Sequence, residues 1–324
     1  MPEYKHTVED LKTMQMWPLS RKIQVTQTRI VEWYHRFKGM VFVSVSGGKD
    51  SAILLDLARR CFPDIEAVYV NTGLDFPEVR KIAMDIPNVT VLQPGMRFDE
   101  VVREYGWCFP SKDVALTIYY ARKGSEWAMM RLKGLNPDGS PSRYRQSHYM
   151  RWAHLVNAPF KISAKCCGIM KEKPLDRYGK DSGKRPMIGI MAVESERRKQ
   201  AWLQTGCNNF DSKHPVSKPM SFWTNRDALQ YIRDYQLPIA SVYGDIMEDH
   251  KGRLFTTGEQ RTGCVFCPVG CHRDKVNRFQ RMAVSHPKLH DYCMSVLGLG
   301  AFLDFIGVEY RERGGADIPC HWES

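Results

Sequence analysis

Residues 42–60 read FVSVSGGKDSAILLDLARR. A strand-forming run enters Ser46-Gly47-Gly48-Lys49-Asp50-Ser51, and a helical pattern begins at once. Ile53, Leu54, Leu57, Ala58 and Cys61 fall on one side of that helix, the side that packs on a sheet. A strand feeding a helix through glycines leaves backbone N–H groups unpaired at the positive end of the helix dipole, so the corner reads as an anion site. Gly47 and Gly48 admit a phosphate close to the main chain, Ser46 and Ser51 offer hydroxyl donors, and Lys49 brings charge. The spacing fits neither the Walker loop, which needs four residues between its first glycine and its Gly-Lys, nor the Gly-x-Gly-x-x-Gly dinucleotide turn.

Working outward, apolar runs of strand length stand at Met40 to Val45, Ala67 to Asn71, Val89 to Leu92 and Met187 to Met191, with helical patterns between several of them. That alternation predicts an α/β fold with a doubly wound, mainly parallel sheet covered on both faces. A further helix is predicted over Thr224 to Gln236, with Thr224 or Asn225 as its cap. Residues 97–180 read as helical insertions, interrupted by an exposed loop at Gly134 to Pro141. Beyond about Tyr243 the alternation stops and cysteine, glycine and proline punctuate the chain. The expected organisation is therefore an α/β domain carrying the anion-binding corner over 1–243 and a cysteine-rich C-terminal segment over 244–324.

The 324 residues suit one or two domains. No run approaches the roughly 18 to 20 apolar residues of a membrane span, and the N-terminus shows no secretory pattern, so a soluble cytoplasmic protein without a membrane partner is expected. Ten cysteines then argue for metal binding or redox chemistry rather than disulfides. Lys and Arg exceed Asp and Glu by 47 to 36. Such a surplus suits a polyanion partner, a single nucleotide's phosphates or a solvated face equally well.

The Ser46–Ser51 loop resembles the pyrophosphate-binding loop of the adenine nucleotide alpha hydrolase (HUP-type) superfamily, which includes ATP pyrophosphatases, thiolation enzymes and phosphoadenosine phosphosulfate (PAPS) reductases. AVYVNTGLDFPEVRKI (67–82), SAKCCGIMKEKPL (163–175), IGIMAVESERR (188–198) and KPMSFWTNRDALQYI (218–232) resemble the PAPS reductase branch. The resemblance implies adenine near Val70, Asn71 and Thr72, with Ser46, Gly47, Gly48, Lys49, Asp50 and Ser51 on the phosphates. The loop resembles members that cleave ATP between its α and β phosphates more than it does the reductases proper. ATP is thus the favoured nucleotide, PAPS the alternative. Lys49 and Asp50 would then be catalytic, Asp50 helping to hold Mg²⁺, and Arg197 and Arg198 clamp other phosphate oxygens or form a charged helix face.

Cys166-Cys167 and RTGCVFCPVGCHRD, with Cys264, Cys267 and Cys271, make two clusters far apart in sequence. Zinc and iron–sulfur clusters both take four thiolates. A paired Cys-Cys joined to a distant Cys-x-x-Cys resembles the iron–sulfur subset of adenylylsulfate and PAPS reductases, which implies a [4Fe-4S] cluster on Cys166, Cys167, Cys264 and Cys267, with structural zinc or unliganded core cysteines as the alternatives. Cys271 is a fifth thiol, a substitute ligand or free sulfur carrier. Cys61, Cys207 and Cys293 read as small apolar core residues. Cys320 beside His321 is either a mobile nucleophile or an idle thiol in the tail, and the reductases' catalytic Glu-Cys-Gly-Leu-His element is absent.

Three functions follow from these features. The first is a thiolating enzyme that adenylylates an acceptor, DNA or tRNA, and inserts sulfur supplied by a donor such as a cysteine desulfurase. Eight aromatics between Trp107 and Trp152, lying among basic residues, are candidates for stacking on its bases or for the core. The second is PAPS or adenylylsulfate reduction, with Cys320 attacking sulfur and thioredoxin as reductant. The third is a non-catalytic nucleotide or nucleic-acid reader within a larger complex.

Overall fold

A computed structural model describes residues 4–142 and 146–311. Two compact units are drawn from Met1–Gln93 with Pro174–Thr262, and from Pro94–Lys173 with Gly263–Ser324. This partition differs from a boundary at Tyr243. Residues 244–262 stay with the sheet unit, where the strand Leu254–Thr256 packs on the helix Asn225–Asp234. The helical stretch after Gln93 groups instead with the cysteine-rich segment.

In the first unit, β1 (Val41–Val45), β2 (Ala67–Val70), β3 (Val89–Leu92), β4 (Arg185–Ile188), β5 (Asn208–Asn209) and β6 (Val216–Ser217) form one sheet in the order β3-β2-β1-β4-β6-β5. Every pairing is parallel except β5 with β6. The doubly wound, mainly parallel fold expected from the alternation is thus present. Its helices include α1 (Val8–Gln15), α2 (Leu19–Arg36), α3 (Lys49–Cys61) and α4 (Pro77–Met84). The residues predicted for the inner side of α3, Ile53, Leu54, Leu57 and Ala58, are all fully buried, together with Val43 of β1, Trp33 of α2 and Trp223. Cys61 at the end of that stripe is only half-buried.

From β1 the chain winds outward through β2 to β3, then returns to lay β4 on the other side of β1. The strand order reverses there, and in open α/β sheets ligands bind outside the carboxyl ends of strands at such a point. β4 begins two residues earlier than the apolar run Met187 to Met191 suggests. Arg185 donates its N–H to Met40 O, so the nitrogen of Pro186 faces the β6 side, where β4 is paired only at Met187. A proline therefore costs the ladder no hydrogen bond.

The second unit is helical, with α5 (Phe98–Tyr105), α6 (Lys112–Ala121) and α7 (Glu126–Leu132) leading into shorter turns and the helices Arg278–Ser285 and Leu299–Phe305. Its buried side chains include Phe109, Leu155, Phe279, Phe302 and Leu303. The Arg122 guanidinium donates to the carbonyl oxygens of Leu155, Val156, Ala158 and Phe160 at 2.6–2.9 Å and fixes the turn that leads toward Cys166.

Candidate functional site

The Ser46–Ser51 corner joins β1 to α3. Gly47 has φ +71°, and a Cβ there would stand 2.3 Å from the Val79 carbonyl oxygen of α4, so only glycine fits. Gly48 is the N-cap and offers no side chain of its own to the first amides of α3. Part of the corner is satisfied internally. Ser46 N–H donates to Ser51 Oγ (3.1 Å), Ser51 Oγ donates to Gly48 O (2.8 Å), and Lys49 N–H donates to the Tyr243 hydroxyl (3.1 Å). That hydroxyl is itself bonded to Thr262 Oγ1 at 2.6 Å. The first N–H groups of a helix have no intrahelical acceptor, and those of Asp50 and Ser51 have none among the described residues.

Charge gathers around these amides. The Lys49 ammonium, only 5% exposed, holds both Asp50 carboxylate oxygens, at 3.1 and 3.3 Å. Burial and then the neighbouring Arg261 hold the Arg198 guanidinium below its usual range, while Asp50 works the other way. Burial, Arg197 and Arg198 do the same to the Lys218 ammonium. Glu194 ion-pairs with Arg198 and lies 3.8 Å from Arg261. Five cations thus stand against two carboxylates, an arrangement that repels itself and favours a bound polyanion.

Among the residues expected on the phosphates, Lys49, Asp50, Arg197 and Arg198 are brought together with Ser46, Gly47, Gly48 and Ser51. Val70, Asn71 and Thr72 lie at the carboxyl end of β2; Asn71 N–H is engaged by Leu92 O (2.9 Å), and the buried Thr72 hydroxyl caps its own loop by accepting from Leu74 N–H (3.1 Å). Gly189, Lys218, Tyr243, Arg261 and Thr262 also reach the corner, and none of them was expected there. A Cβ at Gly189 would come 2.7 Å from the Asp50 carbonyl oxygen, so this glycine lets the end of β4 approach α3. Lys218 opens the quoted stretch KPMSFW, and Arg261-Thr262 stand directly before the Cys-x-x-Cys segment. Both were visible as residues, and neither carried a spacing signal.

The cysteines belong to the second unit. Cys166 and Cys167 end the short helix Lys165–Cys167, and a π turn, Gly168–Glu172, follows. Pro174 explains that turn, since its ring and missing N–H disturb the regular ladder four residues back, and Lys173 N–H reaches Gly168 O instead. Cys267 N–H donates to Cys264 O at 3.1 Å, closing the Cys-x-x-Cys turn. Between the two segments runs Trp107-Cys108-Phe109-Pro110. Trp107 N–H donates to Lys161 O and Ser163 N–H to Trp107 O, while Gly270 N–H donates to Pro110 O. Cys108, a buried thiol with no partner cysteine nearby in sequence, is thereby tied to both.

The thiols feel one another. Cys166 is pushed up to about 12, first by Cys108, and Cys167 is raised by Cys166 and by burial. Burial and then Cys264 push Cys267 up to about 11, with Cys167 contributing; burial pushes Cys271 up to about 12 against the pull of Arg278. Loss of water lowers the Lys112 ammonium, but Cys167 and Glu172 beside it reverse this and raise it overall. Among the described residues no three His, Cys, Asp or Glu side chains are grouped so that they could hold a metal ion. All-sulfur donors with adjacent cations fit a thiolate-bound iron or zinc centre in chemistry, without a formed coordination sphere. Cys207 and Cys293 are buried, as expected of core residues, and Cys320 lies outside the described residues.

A parallel sheet whose first strand ends in a glycine corner ringed by cations defines an α/β protein with a candidate anion site at its switch point. The chain belongs to the phosphoadenosine phosphosulfate reductase domain family, whose model matches residues 40–109 and 110–274. An uncharacterized protein of Methanocaldococcus jannaschii is 23% identical over 289 residues, covering 87% of this chain, and the chain spans only 46% of that relative's length. An adenosine 5'-phosphosulfate reductase of Staphylococcus haemolyticus is 23% identical over 244 residues, 74% of each chain. Among solved structures, the U34-tRNA thiolase NcsA from Methanococcus maripaludis with its [4Fe-4S] cluster aligns over 94% of this chain and 86% of its own, at 14% identity and TM-score 0.37. A likeness that loose marks no shared activity. No helix among the described residues is long and apolar enough to cross a membrane.

Proposed function

We propose that this chain is an ATP-dependent sulfurtransferase that activates an oxygen of an acceptor, a nucleic acid, by adenylylation. The observation that supports it most is the cation excess of Lys49, Arg197, Arg198, Lys218 and Arg261 at a helix N-terminus with two open amides. These groups would bind the triphosphate and draw charge toward the β and γ phosphates. The acceptor oxygen attacks the α phosphorus, the α–β P–O bond breaks, and pyrophosphate leaves with the electron pair into that cationic ring. Asp50 would hold Mg²⁺, which when bound neutralises charge on the departing pyrophosphate. A hydrosulfide sulfur then attacks the activated carbon, and the C–O bond to AMP breaks, AMP leaving with the electron pair. Cys166, Cys167, Cys264 and Cys267 would hold an iron–sulfur cluster, which when bound would present sulfur in a form ready for transfer; zinc is the alternative occupant, and Cys271 would serve as a free thiol carrier. A sulfur donor such as a cysteine desulfurase would complete the system.

The reductase reading keeps a specific support in the relative from Staphylococcus haemolyticus, whose match covers 74% of each chain. In that reading PAPS occupies the same corner, Cys320 attacks sulfur, and thioredoxin is the reductant. Anaerobically purified protein supplied with labelled ATP or labelled PAPS separates the two. Release of AMP and pyrophosphate, lost in Asp50→Asn, supports sulfur transfer; release of sulfite, lost in Cys320→Ser, replaces it with reduction.

A further inference from the structure

We propose that the α6–α7 hairpin is a docking face for an unpaired nucleic-acid strand, with Tyr120 and Trp127 as stacking platforms. The inference rests on the sulfur-transfer reading only for the strand's role as acceptor.

Charge places the partner first. Pro94–Lys173 holds fourteen Lys and Arg against seven Asp and Glu, so most of the chain's surplus sits in about a quarter of its length. The structure then sorts the eight aromatics of this stretch. Trp107, Phe109, Tyr149 and Trp152 are buried and belong to the core, and Tyr144 lies outside the described residues. Tyr119 is half-buried, whereas Tyr120 and Trp127 are 40% and 47% exposed. These two flank one tight turn, where Gly124 N–H donates to Ala121 O and Ser125 N–H to Tyr120 O. Ser125 caps α7 by accepting from Ala128 N–H, which fixes Trp127 on its first turn.

Each ring system carries cations. Lys123 Nζ and Lys165 Nζ lie 4.6 and 5.4 Å from the Tyr119 centroid, Tyr119 meets Tyr120 edge-on at 5.5 Å, and the Arg131 guanidinium lies 5.1 Å from Trp127. Exposed aromatic faces interleaved with cations are what a single strand needs, since its bases stack and its phosphates are neutralised. A duplex hides its base faces and could use only the charge. An acidic protein would match the charge but leave two exposed rings unexplained.

The test measures binding of the full chain to a fluorescent single strand of about 15 nucleotides, as DNA and as RNA, and to the matching duplex, over a salt series. The single strand is expected to bind more tightly than the duplex. Trp127→Ala and Tyr120→Ala are each expected to weaken it about 5- to 150-fold, with partial rescue by Trp127→Phe. Lys123→Ala is expected to reduce the log–log salt slope by about 0.7. Both rings are exposed, so unchanged circular dichroism and melting should confirm folding. Equal binding of duplex, binding insensitive to Trp127→Ala, or a preference for an acidic protein over the strand overturns the proposal. Asp50→Asn keeps the two readings apart: it should lose pyrophosphate release and retain strand binding. Strand binding without ATP cleavage by the wild type removes the sulfur-transfer reading alone, and cleavage without strand binding removes the docking face alone.

Discussion

Tyr243 occupies one of the amides that a phosphate would use, and Tyr243→Phe turns this into a measurement. In the free protein the change removes the bond from Lys49 N–H (3.1 Å) and the bond to Thr262 Oγ1 (2.6 Å). Each hydrogen bond contributes about 1 kcal/mol net, and a buried amide left without a partner costs about 1–3 kcal/mol. The variant should therefore unfold about 2–4 kcal/mol more easily in urea. Pyrophosphate affinity should move the other way. In the wild type the anion must displace the hydroxyl before accepting from Lys49 N–H, whereas in the variant that donor is already open. A gain of about 1 kcal/mol corresponds to roughly fivefold tighter binding by calorimetry. Lower stability with higher anion affinity is a combination that a merely structural tyrosine does not produce. Unchanged or weaker pyrophosphate binding would refute the idea that Tyr243 sits in the anion's place.

Gly47→Ala should lower the melting temperature and abolish pyrophosphate binding, because φ +71° costs an alanine about 1–2 kcal/mol and its Cβ would meet Val79 O at 2.3 Å; an unchanged melt would contradict the packing of α4 against the loop. Lys218 is held below its ordinary range by burial and by Arg197 and Arg198, so it loses its proton earlier than a free lysine as pH rises. Pyrophosphate affinity should accordingly fall on the alkaline side before pH 10.5, and Lys218→Met should bind more weakly but without that fall, both read by calorimetry across pH. The same shift means that the charged form is disfavoured in the folded state, so the wild type's stability contribution from Lys218 should rise, not fall, over that window. Single Cys→Ala changes at 166, 167, 264 and 267 should each deplete iron and acid-labile sulfide in anaerobic preparations, while Cys207→Ser should not; equal retention in all would remove the thiol set as a cluster site.

What could be seen in the chain beforehand divides along a physical line. The corner at 46–51 was legible because all of its requirements are local: a strand, two glycines and a helix start within a dozen residues. The alternation around it sufficed for a parallel sheet, and the β4 offset arose because Arg185 and Pro186 look like loop residues unless the unpaired side of the strand is known. The cations that complete the corner are a different kind of object. Lys218 and Arg261 reach it from segments roughly 170 and 210 positions further on, and only the return of β4 beside β1 makes Gly189 a requirement rather than a loop glycine.

Cys108 shows the same limit in the other unit. Its neighbours in sequence are Trp107 and Phe109, both buried, and nothing in that setting separates it from the core cysteines 207 and 293. What separates it is the backbone, which the 161–163 segment holds on one side and Gly270 on the other. Spacing identifies ligands that share a turn, as Cys264 and Cys267 do, but a thiol delivered by main-chain pairing has no spacing to read. If Cys108 belongs to the thiol set, Cys108→Ala should alter the iron content or the visible absorption of the anaerobic protein, and Cys108→Ser should restore part of it. If both variants match the wild type spectrum, its nearness to Cys166 is packing, and Cys108 is no part of the thiol set.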